Sequence, residues 1–105
     1  SEPIFFSFDS AKVNKSERSK LDEVSTCLRG PNAARVTLSG HADEVGETAY
    51  NLALGESRAQ SVYDYLVRLE VPSSLLNTIS YGEDRPAVDG RGRQPKNRRV
   101  EFEAR

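Results

Sequence analysis

The sequence predicts a two-layer α+β domain with its elements in the order β-α-β-α-β-β. Four short runs alternate apolar with polar residues and carry one apolar face each, and two longer runs repeat apolar residues at helical spacing. At 105 residues the chain has the length of one domain and buries roughly two-thirds of the surface its unfolded form exposes. A strand with a single apolar face needs one covering layer. Two amphipathic helices on one side of a four-stranded sheet are therefore more economical than helices on both sides.

In the first run Ile4, Phe6 and Phe8 alternate with Phe5 and Ser7, giving a strand whose larger apolar set lies on one face. Asp9-Ser10 breaks the pattern. Asn14-Lys15-Ser16-Glu17 has the form of a capping box, with Asn14 as cap and Glu17 reaching back, and Leu21, Val24 and Leu28 follow at helical spacing. Cys27 falls on the apolar side of this pattern and is expected to be a small buried hydrophobe. Gly30-Pro31 stops the helix.

Arg35 to Ser39 alternates again with Val36 and Leu38 inward, and Gly40 is expected to close this second strand. The second helix runs to about Leu69 on a stripe of Ala59, Val62, Leu66 and Leu69. Glycine inside a helix costs about 1 kcal/mol relative to alanine. Gly55 therefore predicts a kink or a short first turn, with Arg58 in the opening turn of the main helix. Thr78 to Tyr81 is a third strand ending at Gly82, and Val100 and Phe102 mark a closing strand. Between them Glu83 to Lys96, with Pro86, Gly90, Gly92 and Pro95, has no periodicity. Loops of that length inside compact domains tend to be functional or mobile.

Fifteen basic and sixteen acidic residues give a net charge of −1, which supplies no global attraction to nucleic acid or an anionic membrane. One cysteine excludes an internal disulfide and a cysteine cage for metal. His41 is the one histidine, no second stands at metal spacing, and no serine or cysteine occupies a nucleophile elbow or triad. Neither catalysis nor a cofactor is expected, and His41 reads as a structural hydrogen-bonding residue. Gly90-Arg91-Gly92-Arg93 has no following helix and no interleaved aromatics, so it reads as a solvated basic loop. Arg98 alternates onto the side of Val100 and Phe102, and an inward arginine requires a partner.

The most informative stretch is Gly40-His41-Ala42-Asp43-Glu44-Val45-Gly46, with Arg58 fifteen positions beyond Asp43 on the next helix. Two readings stand at this level. Asp43 and Arg58 form a salt bridge pinning the turn, which composition alone favours, or they grip a ligand that carries both charges. Glycines at 40 and 46 let backbone approach a ligand, and arginine suits a carboxylate better than lysine.

The run Gly40-His41-Ala42-Asp43-Glu44-x-Gly46-x3-Tyr50-Asn51-x2-Leu54-Gly55-x2-Arg58-Ala59, then Ser80-Tyr81-Gly82-Glu83-x-x-Pro86-Ala87, then Asn97-Arg98-Arg99, resembles the peptidoglycan-binding domain shared by outer-membrane protein A and the peptidoglycan-associated lipoprotein. The lipoprotein branch is the more similar, with Phe6-Ser7-Phe8-Asp9 matching its first strand end, and the resemblance makes residues 1–105 a single such domain. It implies a mixed sheet in strand order 1-4-2-3 with the fourth strand antiparallel. It also implies a non-catalytic, cofactor-free module on the periplasmic face of the outer membrane, joined to that membrane through a segment outside this chain. The implied ligand is the diaminopimelate residue of the peptidoglycan stem peptide. Asp43 and Arg58 would engage its charged ends, Asp9 and Leu54 would line the pocket, and Phe8, Glu44 and Asn51 are the further contacts expected. Asn97 and Arg98 are expected to be structural. A Tol-system periplasmic protein is the implied protein partner, and Tol docking or the wall anchor of a flagellar-stator-type protein is the alternative role. Val45 stands where lipoprotein relatives often carry arginine, and Gly90 to Lys96 aligns with neither branch.

Overall fold

The computed structural model describes residues 2–104. Its strands are β1 (Ile4–Phe5), β2 (Val36–His41), β3 (Leu76–Gly82) and β4 (Arg99–Ala104), and its helices are α1 (Arg18–Leu28) and α2 (Thr48–Arg68). The strands form one mixed sheet in the order β1-β4-β2-β3, in which β2 and β3 are parallel and β4 is antiparallel to both its neighbours. This is the α+β architecture and strand order expected.

The helices cover one face. Ile4, Phe6, Leu38, Leu76 and Val100 from the sheet side join Leu21, Val24, Leu28, Ala59, Val62 and Leu66 from the helices in one buried cluster, as period-two and period-3.6 patterning require. Ser39, His41, Arg99, Glu101 and Glu103 alternate onto the other face.

Several local expectations are corrected. β1 is shorter than its alternation suggested: Phe6 still bonds to the sheet through its N–H to Arg98 O at 2.9 Å, but Asp9 adopts φ +54° and the chain turns, leaving Phe8 37% exposed. The capping box does not form. Asn14 turns its side-chain amide to Ser7 Oγ at 3.0 Å, and Glu17 accepts from Phe5 N at 2.7 Å, so both side chains tie the helix start to β1. Cys27 is exposed. At 3.6 residues per turn it lies about 90° round the helix from the centre of the Leu21, Val24 and Leu28 stripe. Ser25 takes the inner position, 2% exposed with its hydroxyl on Asp22 O.

The largest correction concerns the two glycines. α2 is one continuous helix of 21 residues, so Gly55 marks no kink and Arg58 lies in its third turn. Gly40 does not close β2, which continues to His41. The two glycines instead face each other where α2 crosses β2. A Cβ on Gly40 would lie 1.7 Å from Gly55 O, and one on Gly55 would lie 2.4 Å from Ser80 Oγ and 2.9 Å from Gly40 O. Ser80 Oγ also donates to Leu52 O at 2.6 Å and fixes the same contact from β3. Beyond it, β2 carries a bulge between Gly40 and His41. Bulges re-aim the strand end that follows.

Helix propensity and packing predict opposite signs for Gly55→Ala. Propensity alone would stabilise the helix by about 1 kcal/mol, whereas an overpacked contact against backbone costs about 3 kcal/mol. Gly55→Ala and Gly40→Ala are both expected to destabilise the domain, Gly40→Ala more, as read by urea denaturation midpoints; a stabilised Gly55→Ala would refute the close-approach account.

Candidate functional site

Nine residues line a groove of about 420 Å³ where the end of β1, the end of β2 and the first turns of α2 converge: Phe8, Asp9, Asp43, Val45, Gly46, Tyr50, Asn51, Leu54 and Arg58. Asp9, Asp43, Leu54 and Arg58, the four residues singled out from sequence, are all among them, and so are Phe8 and Asn51. Glu44 is exposed and is not among the lining residues. The helical contribution follows from spacing, since Tyr50, Leu54 and Arg58 stand at i, i+4 and i+8 on one face of α2.

Arg58 is the base of the groove and is fully buried. Its guanidinium donates from Nε to Ser10 O at 2.8 Å, from Nη1 to His41 O at 2.8 Å and from Nη2 to Ser7 O at 3.3 Å. Burial pulls its pKa down to about 10, with Asp43 opposing that shift, so it remains a cation at neutral pH. The side chain thus supplies a positive charge inside the fold, held by three carbonyls. A carbonyl dipole satisfies N–H groups without cancelling charge.

Asp43 is 4% exposed and does not form its ion pair with Arg58. Its Oδ2 accepts from Arg98 Nη1 at 3.3 Å and from Gln94 N at 3.3 Å, while Oδ1 accepts from Val45 N at 3.3 Å. The carboxylate therefore joins the turn after β2, the long loop and the start of β4. Arg98 donates in addition to Phe6 O at 3.0 Å, which ties β4 to the end of β1. Asn97, 1% exposed, holds the long loop by accepting from Ala87 N and Val88 N and donating to Val88 O.

At the mouth, Tyr50 donates its hydroxyl to Asp9 Oδ1, a bond that raises the phenol's pKa. Asn51 is 1% exposed and donates to Glu83 Oε1 at 2.8 Å, so it secures the chain after β3. The guanidinium of Arg93 lies 3.8 Å over the Phe8 ring. Sequence reasoning named neither Tyr50 nor Arg93 as site residues. Tyr50 was accessible through its spacing to Leu54 and Arg58, but a stacking across 85 positions of chain between Phe8 and Arg93 has no local signal.

His41 faces the other side of the sheet. It is 2% exposed, shares a 3.2 Å hydrogen bond between Nε2 and Ser39 Oγ, and leaves Nδ1 without a partner among the described residues. Burial, then Arg99, lowers its pKa to about 4 against the opposing pull of Glu101 and Glu103. His41, Glu101 and Glu103 bring ligand-type atoms within 4.8 Å of one another, but Arg99 bridges Glu101 and offsets the charge a cation would need. No helix among the described residues is long and apolar enough to cross a membrane.

The sequence profile of the OmpA family matches residues 5–99. A peptidoglycan-associated lipoprotein of Pseudomonas aeruginosa is 41% identical over 101 residues, which are 94% of this chain and 60% of that protein. A peptidoglycan-associated lipoprotein of Rhizobium meliloti is 44% identical over 86 residues, covering 81% of this chain and 48% of that one. The chain thus spans between about half and two-thirds of the length of these relatives. The crystal structure of the peptidoglycan-associated lipoprotein from Burkholderia pseudomallei superposes with a TM-score of 0.94 at 28% identity, over 100% of this chain and 91% of that one.

A histidine held neutral by burial makes folding pH-dependent with a definite sign. His41 has a folded pKa of about 4 against 6.5 unfolded, so the unfolded chain binds the extra proton between those values. Its contribution is present above pH 6.5 and is lost as pH falls to 4, amounting to about 3 kcal/mol. His41→Asn is expected to remove most of that slope in urea melts at pH 7 and pH 4.5; an unchanged slope would assign it to other groups.

Proposed function

The chain belongs to the OmpA family, and from that premise we propose that it is a non-catalytic module that binds peptidoglycan through the diaminopimelate residue of the stem peptide. The observation that carries this reading is a buried arginine cation at the base of a groove whose wall and mouth hold two aspartates. Relatives named for peptidoglycan association support the ligand class. The side-chain end of diaminopimelate bears a carboxylate and an ammonium on one carbon, and the groove offers the complementary pair.

Arg58 carries five N–H groups, and three are spent on the carbonyls of Ser7, Ser10 and His41, which leaves two for a ligand carboxylate. The ammonium meets Asp43 Oδ1, whose one bond among the described residues is that from Val45 N, and the exposed carboxylate of Asp9. Leu54, half-buried, packs against the methylenes between the two ends of the ligand residue. Because Arg58 has no exposure with Tyr50 bonded to Asp9, entry of the ligand separates that pair and replaces it with the ammonium. Charge-assisted hydrogen bonds contribute about 1.5–3 kcal/mol each. Two or three of them, less the separated pair, give a modest single-site affinity. A polymeric wall presents many such sites to a tethered domain, so modest affinity suffices for anchoring. In this reading the domain works on the periplasmic side of the outer membrane.

The buried bonds of Arg58 dictate the choice of variants. Arg58→Ala would leave the buried His41 carbonyl without its donor and release the Ser7 to Ser10 segment from α2, so Arg58→Lys and Asp43→Asn are the informative changes. Both are expected to weaken pull-down with diaminopimelate-type sacculi at least about tenfold while circular dichroism keeps the native spectrum. Wild type is expected to bind lysine-type wall, which lacks the side-chain carboxylate, at least about tenfold less well. Equal binding of wild type to both walls would overturn the role given to Arg58.

A further inference from the structure

Around the groove most cations already have partners. Arg58 donates to three carbonyls, Arg98 is paired with Asp43, and Arg99 is paired with Glu101 on the opposite face. Position 45, in the turn beside Asp43, is a valine and offers no charge. Arg93 differs from these. Among the described residues its side chain forms no ion pair and no hydrogen bond, and its guanidinium is stacked 3.8 Å from the Phe8 ring at the edge of the groove.

Two contacts fix that placement, and both involve groove residues. Phe8 lines the groove and is 37% exposed, so a planar cation lying on its ring borders the opening. Gln94, the next residue along, donates its backbone N–H to Asp43 Oδ2 at 3.3 Å. The acid in the groove wall therefore also positions the backbone that carries Arg93. Stacking occupies one face of the guanidinium and leaves its N–H groups, which lie in the guanidinium plane, free for a planar anion.

We infer that Arg93, held on Phe8, is a second carboxylate-binding point that contacts the stem peptide outside its diaminopimelate side chain. This inference rests on the function proposed above. With the diaminopimelate side chain in the groove, the rest of the peptide emerges at the rim. Two carboxylates flank it there: the α-carboxylate left free by the preceding γ-linked glutamate, and the peptide's C-terminus. Arg93 selects for a ligand that keeps the relevant one ionised, so that amidation of the wall peptide weakens binding. The role is one of specificity. Arg58 reads the side-chain carboxylate of diaminopimelate, and Arg93 reads a carboxylate elsewhere on the peptide.

The test is titration calorimetry with three synthetic stem tripeptides ending in diaminopimelate: the free acid, the peptide amidated at the glutamyl α-carboxylate, and the peptide amidated at the C-terminus. An exposed bidentate pair is worth about fivefold in affinity. Arg93→Ala is expected to weaken the free acid by about that factor and Arg93→Lys by less, with the difference shrinking at high salt. One of the two amidations should weaken wild type equally and leave Arg93→Ala no weaker than it already is, which identifies the carboxylate. Arg93→Ala binding the free acid within twofold of wild type would overturn the inference alone. So would an equal loss for all three peptides. A wild-type domain that binds none of them overturns the proposed function together with it.

Discussion

The buried guanidinium of Arg58 is the constraint on which the groove depends. It bonds to carbonyls of Ser7 and Ser10 from the segment after β1 and of His41 from the end of β2, so one side chain of α2 organises two chain segments that have no ladder between them. Each of those carbonyls needs a donor once water is excluded, and each N–H needs an acceptor. An ion pair at this position would neutralise the cation and end its usefulness. Carbonyls satisfy the N–H groups while leaving the net charge in place, and that charge is the property an anion-binding site needs.

The helix can present Arg58 there because it sits unusually close to the sheet. The face-to-face contact of Gly40 with Gly55 brings α2 down on β2, and one turn later the arginine meets the carbonyl of His41, the residue that follows Gly40. Asp43 performs the matching task from the strand side. By accepting from Arg98, Gln94 N and Val45 N it fastens the long loop and the start of β4 to the same turn. Packing sets the position of the base, and a shared carboxylate sets the position of the wall.

The layers were legible in the sequence, because period-two runs at Val36 and Leu38 and helical spacing at Leu21, Val24 and Leu28 report burial directly. What failed were inferences that assign a residue to its local role when a distant partner claims it. Asn14 has a capping sequence around it, yet Ser7 Oγ takes its amide; Gly55 breaks helix propensity, yet Gly40 requires it to be small. Cys27 was misplaced by angle alone, since a stripe of three residues leaves Ser25 and Cys27 competing for one position. The groove was legible to a different degree. Motif resemblance picked out residues that converge, but their bonding was hidden, because Asp43 has two arginines within reach of its turn and only the fold shows that Arg98, not Arg58, takes the ion pair.

That division between the two arginines has a consequence for recognition. Had Asp43 closed on Arg58, a ligand with both charges would have to break a buried pair before making its own, and the exchange would gain little. With Asp43 paired to Arg98 through Oδ2 and Arg58 held by carbonyls, the two groups have separate partners, so only the cation at the base stays free of a countercharge and no Asp43–Arg58 pair has to be separated. In the binding mode proposed above, the contact that opens is the exposed one between Tyr50 and Asp9, at the mouth. Polar contacts in solvent are inexpensive to exchange, whereas buried ones are not. The charges inside the groove are thus held by buried bonds, and the exposed side chains Phe8 and Tyr50 stand at its rim.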